Sequence, residues 1–151
     1  MFNKIPFEVA KKLLEKPLIC RDFGNWIASK KNSYIYEFEC GLLDQDEMTC
    51  SLHVKFHYFY HPLTKVTSYT LSVFDKQLYG MERVYQLEVK KNKKKIKDIH
   101  SKPHEHFGDM RNAGDEGWSG WNFTDALEHF LKQTNIKIIG EIESPEEFKL
   151  K

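Results

Sequence analysis

Two histidines separated by one residue, in the run Lys102-Pro103-His104-Glu105-His106-Phe107-Gly108-Asp109 with Arg111 just beyond, are the side chains best suited to chemistry near neutral pH. In extended backbone alternate residues project to the same side, so the two imidazoles are expected ~6 to 7 Å apart. One neutral ring can then take a proton from an attacking hydroxyl while a protonated ring supplies the leaving oxygen. Phosphodiester cleavage in RNA needs such a pair and a cation for the charged transition state. Lys102 and Arg111 are the neighbouring cations, with Arg the better fork for phosphate oxygens. Asp109 or Glu105 is placed to orient an imidazole. The same residues admit a metal reading, His104 and His106 completed by Asp109 or His100, and an ordinary one in which a Pro-bounded loop uses its histidines for turn and surface contacts. A lone His-x-His spacing does not choose among the three.

Lys90, Lys91, Lys93, Lys94, Lys95 and Lys97 put six lysines into eight residues immediately before this segment. Such runs usually form solvated hairpin tips that discourage edge pairing, but on the histidine side they would draw in an RNA backbone, with Lys93, Lys94 and Lys95 as steering charges. Trp118 and Trp121 can stack bases or cover the edge of the core. His53, His57 and His61 would share a helical face, but their neighbours alternate as in a strand, where positions four apart lie ~13 Å from each other, too far for one ion.

The elements that must position these groups follow from periodicity. Ile5, Val9 and Leu13, with Ala10 and Leu14, predict a helix over 6–16 that Pro17 stops. From Tyr34 the period becomes two. Tyr34, Tyr36, Phe38 and Cys40 face away from Glu37 and Glu39, and Leu52, Val54, Phe56, Tyr58 and Tyr60 away from His53, Lys55, His57, Phe59 and His61. A turn at 61–65 leads to a strand over 66–74, and a further strand over 82–90 turns Tyr85, Leu87 and Val89 inward. A hairpin tip at 91–93 would lead into 95–100. The stretch 101–122, interrupted by Pro103, Gly108, Gly114, Gly117 and Gly120, reads as one long irregular loop, a length that compact domains keep for a use. Phe123, Leu127, Phe130 and Leu131 then predict an amphipathic helix capped by Asn122, followed by a short strand over 136–142 and a charged tail. The expected fold is α+β, one domain over 1–151, with a mainly antiparallel sheet of about five to six strands carrying an N-terminal and a C-terminal helix on one face.

Composition limits the function classes. Of 151 residues, 40% are hydrophobic and 14% aromatic, enough for a real core. A formal charge of +1 argues against binding nucleic acid or membrane through net charge alone. No apolar run approaches the ~20 residues of a membrane span, and Cys20, Cys40 and Cys50 have neither disulfide-framework nor zinc spacing. The expectation is a soluble cytoplasmic protein with reduced thiols, no cofactor and no membrane partner.

The Tyr85-Gln86-Leu87-Glu88-Val89 strand, the segment from Pro103 to Asp109 and the helix ending Phe130-Leu131-Lys132-Gln133-Thr134-Asn135-Ile136 together resemble small bacterial toxin proteins of the TumE type and related families, over about the C-terminal half, Val66 to Ile136. This chain lacks the Asn-x-x-His-His cluster that often precedes the segment there and carries an extra Gly/Trp insertion before the helix. The resemblance implies one half of a toxin-antitoxin pair that acts on RNA and has a protein antitoxin as partner. Joined to the residue chemistry, it gives a metal-independent endoribonuclease with His104, His106 and Arg111 catalytic and Lys102, Lys93, Lys94, Lys95 and Trp118 holding substrate. The reading from a different class is a non-enzymatic inhibitor or immunity protein, for example of a phage or a defence system, that masks a partner protein through its sheet face and aromatic loop.

Overall fold

The computed structural model describes residues 3–91 and 102–150. The chain is α+β, and its strands form one largely antiparallel sheet. The elements are β1 (Asn3–Lys4), α1 (Phe7–Leu13), β2 (Leu18–Cys20), β3 (Ile27–Ala28), β4 (Ile35–Leu43), β5 (Thr49–Tyr60), β6 (Thr67–Gln77), β7 (Gly80–Lys91), β8 (His104–Phe107), β9 (Met110–Ala113), α2 (Phe123–Thr134), β10 (Ile136–Ile138) and α3 (Pro145–Lys149), with a 3-10 turn at Glu116–Gly120. The sheet order is β10-β2-β4-β5-β6-β7-β8-β9, with β1 beside β7 and β3 beside β4.

The described residues form ten strands where five to six are expected. The surplus consists of short pieces of two to four residues, too brief to carry a readable alternation. The surplus strand β1 pairs in parallel with β7, and the expected strand after α2, β10, pairs in parallel with β2. The long strands follow the sequence pattern: β5 alternates buried and half-buried residues from Leu52 to Tyr58, and Tyr69, Leu71 and Val73 of β6 lie inward beside Tyr85, Leu87 and Val89 of β7. The β6–β7 turn is tighter than expected, at Leu78-Tyr79, and both strands run longer.

The core lies between the apolar sheet face and the helices. Phe123, Ala126 and Phe130 of α2 and Ala10 of α1 are buried in it. The Phe130 ring packs edge-on against Phe56, 5.2 Å between centroids, and Phe123 meets Trp26, Phe56 and Tyr69. Asn122 caps α2 through a reciprocal capping box with Asp125. The charged tail contains a short helix, α3, whose Phe148 packs on Tyr36 and whose Glu146 accepts a hydrogen bond from Tyr69. Among the described residues no helix is long and apolar enough to cross a membrane.

Over its described part, 102–122, the expected loop is not irregular. Pro103 and Gly114 bound a hairpin, with Gly108 at its turn, and Gly117 and Gly120 lie in the 3-10 turn that follows. Gly108 takes a left-handed φ of +57° at the turn between β8 and β9, and its N–H donates to the Val84 carbonyl. A Cβ there would lie 2.5 Å from the Ile5 carbonyl oxygen, so the position excludes other residues on two counts. Gly114 admits the Trp118 ring, 2.4 Å from where a Cβ would stand.

Candidate functional site

Strand β8 pairs with β7 so that His106 stands opposite Gln86 and His104 opposite Glu88; on its other side β9 places Arg111 opposite His106. These residues share the polar face of the sheet, away from the helices. The ring centroids of His104 and His106 are 5.0 Å apart with planes at 86°, somewhat closer than ideal strand geometry gives.

The two rings differ in protonation. His104 is 4% exposed. Its Nε2 lies 2.7 Å from a Glu88 carboxylate oxygen and its Nδ1 2.8 Å from the Lys102 carbonyl. Both partners only accept, so both ring nitrogens carry protons and the ring is an imidazolium. The Glu88 hydrogen bond raises its pKa above the usual histidine value against the opposing effect of burial. The hydrogen bond from His104 in turn holds Glu88 below the ordinary carboxylate value. His106 is the reverse case: burial, then the Arg83 guanidinium, then His104 itself push its pKa down to about 4. Arg83 Nη2 lies 3.3 Å from His106 Nδ1, and a guanidinium only donates, so Nδ1 accepts and the neutral ring carries its proton on Nε2. Arg83 also donates to Gln86, which donates to Ser72, and this chain ties the site to β6.

Arg83 reaches this face because of a β-bulge. The β6–β7 register shifts between Val73 and Phe74: Val73 pairs with Tyr85 but Phe74 with Arg83, so Val84 is the extra residue. The shift turns Arg83 outward while Val84 is fully buried.

The structure thus groups His104, His106 and Arg111 as expected and adds Arg83, Glu88 and Gln86, which the sequence reading missed. Glu88 and Gln86 carried a signal, since they alternate with inward Tyr85, Leu87 and Val89. Lys102 is exposed, and its backbone carbonyl contacts His104. The two carboxylates expected to orient an imidazole of the pair do not. Asp109 accepts from the Phe7 N–H at the start of α1, and Glu105, by strand alternation, points to the opposite face. Asp109 is therefore also unavailable to complete a metal site with the pair, and among the described residues no group of three or more His, Cys, Asp or Glu is arranged to hold a metal ion.

Trp118 lies on the helix side of the sheet, half-buried, stacked on Trp121 at 4.8 Å and against His129 at 4.6 Å. It packs on the core edge rather than beside the imidazole pair. His53 and His57 flank Lys55 on the polar face of β5, and burial lowers the pKa of both. His61 lies in the turn beyond, its Nδ1 accepting from the Leu63 and Thr64 N–H groups. Lys93, Lys94 and Lys95, with the expected hairpin tip and His100, lie outside the described residues.

Compared with known proteins, the chain matches no family model, no curated protein and no solved structure.

Proposed function

We propose that this protein is an RNA-directed endoribonuclease of the bacterial toxin type, acting in the cytoplasm through histidine acid–base chemistry and restrained by a protein antitoxin. The observation that carries the reading is the pair of imidazoles 5.0 Å apart, one held charged and one held neutral by their surroundings. Environments that push two like groups in opposite directions assign them opposite roles in proton transfer.

His106, the more open ring, is the base. A bound phosphodiester offers Arg83 an anionic partner in place of the neutral imidazole, and Nδ1 is freed to take the 2′-hydroxyl proton. Arg83 and Arg111 stabilise the charge that builds on the non-bridging oxygens. The proton for the leaving oxygen comes from His104. Its ring is sealed, so the proton leaves through the Glu88 carboxyl, whose side chain is 38% exposed against 5% for His104. The P–O2′ bond forms and the P–O5′ bond breaks, giving a 2′,3′-cyclic phosphate and a 5′-hydroxyl, with no co-reactant consumed.

A second reading, a non-enzymatic protein that masks a partner, is favoured by one feature. At the tip of the β6–β7 hairpin Leu78 is 98% exposed and Tyr79 92%, an apolar wedge of the kind that anchors in a partner's pocket.

One experiment separates the two. Purified protein is incubated with single-stranded and structured RNA in the presence of a chelator, and product ends are mapped. The nuclease reading expects cyclic-phosphate ends and a loss of ~10²-fold or more in His106→Ala. Intact RNA throughout, with a captured protein released by changing Leu78 and Tyr79 to Ser, establishes the masking reading instead.

A further inference from the structure

We infer that Glu105 is a positioning residue, which sets the spacing of His104 and His106 from the opposite face of the sheet. The inference rests on the proposed role of that pair, but its structural content can be tested without RNA.

Alternation along β8 sends Glu105 to the core side between the two histidines. There its carboxylate is 6% exposed and satisfied by three side chains. Tyr85 Oη donates at 2.7 Å, His129 Nε2 at 3.0 Å, and Gln133 Nε2 at 3.2 and 3.3 Å to the two oxygens. Burial alone pushes Glu105 up, but the hydrogen bonds from His129, Tyr85 and Gln133 outweigh it and leave the carboxyl below its usual value. A buried carboxylate keeps its charge only with such partners, so the arrangement tolerates little displacement.

Its partners come from two elements. Tyr85 adjoins Gln86 on β7, while His129 and Gln133 lie one turn apart on α2. Trp118 and Trp121, stacked on each other, cover the His129 ring. Strand β8 has four residues, and on its outer side it pairs, among the described residues, with the four-residue strand β9. Backbone pairing this short holds register weakly. Glu105 couples the strand to the most deeply packed helix, at the one residue that lies between the two imidazoles.

The test is an NMR titration of the imidazoles, with thermal unfolding as a check on folding. The charged and titratable groups facing His106 are Arg83 and Glu88 from β7, His104 from β8 and Arg111 from β9. Glu105→Gln removes the charge and one of the two acceptor oxygens that hold Gln133, so β8 is less firmly anchored to α2 and the His106 midpoint should rise from about 4 toward the ordinary 6.5. In the double variant Glu105→Gln with Gln133→Glu, the amide oxygen still accepts from Tyr85 and His129 and the amide nitrogen donates to the new carboxylate, so the midpoint should return. A folded Glu105→Gln protein with unchanged His104 and His106 titrations overturns the inference. If Glu105→Gln does not fold, His129→Leu, which removes one donor, is read by the same titration and decides. Under the nuclease reading the single variant should also lose ~10²-fold in kcat with KM little changed, the scale set by misplacement of a reacting group. Absence of cleavage in the unaltered protein removes the nuclease reading and leaves the titration result standing, whereas cleavage with unshifted imidazoles removes only the role of Glu105.

Discussion

Nε2 of His104 lies 2.7 Å from the carboxylate of Glu88, its cross-strand partner, and this bond fixes which of the two neighbouring imidazoles is charged. His104 titrates above its usual value, so its contribution to stability is fully present below the ordinary histidine pKa and is lost as pH rises through the raised one. Glu88 titrates below its usual value, so its contribution is present above the ordinary carboxylate pKa and is lost as pH falls through the lowered one. Between those limits the pair is intact. Glu88→Gln should therefore cost about 1–2 kcal/mol at pH 6, a value reduced by the partial solvation of the carboxylate, and clearly less in strongly alkaline solution. Urea denaturation of both proteins at the two pH values measures it; an equal deficit at both would show that the bond carries no charge.

His106 behaves in the opposite sense. Its folded pKa, about 4, lies below the ordinary 6.5, so the unfolded chain takes up the proton first and stability is lost as pH falls from 6.5 toward 4. His106→Asn should flatten that part of the stability profile. Arg83→Met should raise the His106 midpoint seen by NMR, because it removes the second-largest cause of the depression.

Gly108→Ala meets both a left-handed backbone and the Ile5 carbonyl. The conformational penalty alone is roughly 1–2 kcal/mol, and the backbone overlap raises the expected loss to about 3 kcal/mol or more. Denaturant titration checks this, and amide exchange should show the opening concentrated in β8 and β9.

Asn122→Ala breaks the capping box at the start of α2 and should cost about 1 kcal/mol, recovered largely by Asn122→Ser or Asp. Thermal unfolding of the three variants gives the ranking.

Arg111→Ala removes the cation that stands across from His106. Under the nuclease reading RNA affinity should fall similarly for all sequences, and the slope of log K against log salt should drop by about one. Binding that weakens with an unchanged slope would remove Arg111 from the phosphate contacts.

The long strands and the helix over 123–134 are legible because alternation and the 3.6-residue period are strong over eight or more residues, and the same-face placement of His104 and His106 follows from their spacing of two in extended backbone. Two features are not legible. In sequence the β8–β9 hairpin reads as a loop because Pro103, Gly108 and Gly114 look like breakers, whereas two of them supply the turn and the room a tryptophan needs. Arg83 was unreadable for a stricter reason: strict alternation from Tyr85 points it inward, and only the extra residue Val84 reverses that. The partner of each histidine depends on strand register, which residue types alone do not encode.

The parallel pairing of Asn3–Lys4 with Glu82–Arg83 gives the amino-terminal residues an unexpected position. They fill the flank of β7 that β8 occupies further along, so they buttress the backbone from which the arginine beside His106 extends. A change at Asn3–Lys4 is therefore transmitted to the Arg83 backbone, whereas α3 is seated elsewhere, on Tyr36, Tyr58 and Tyr69.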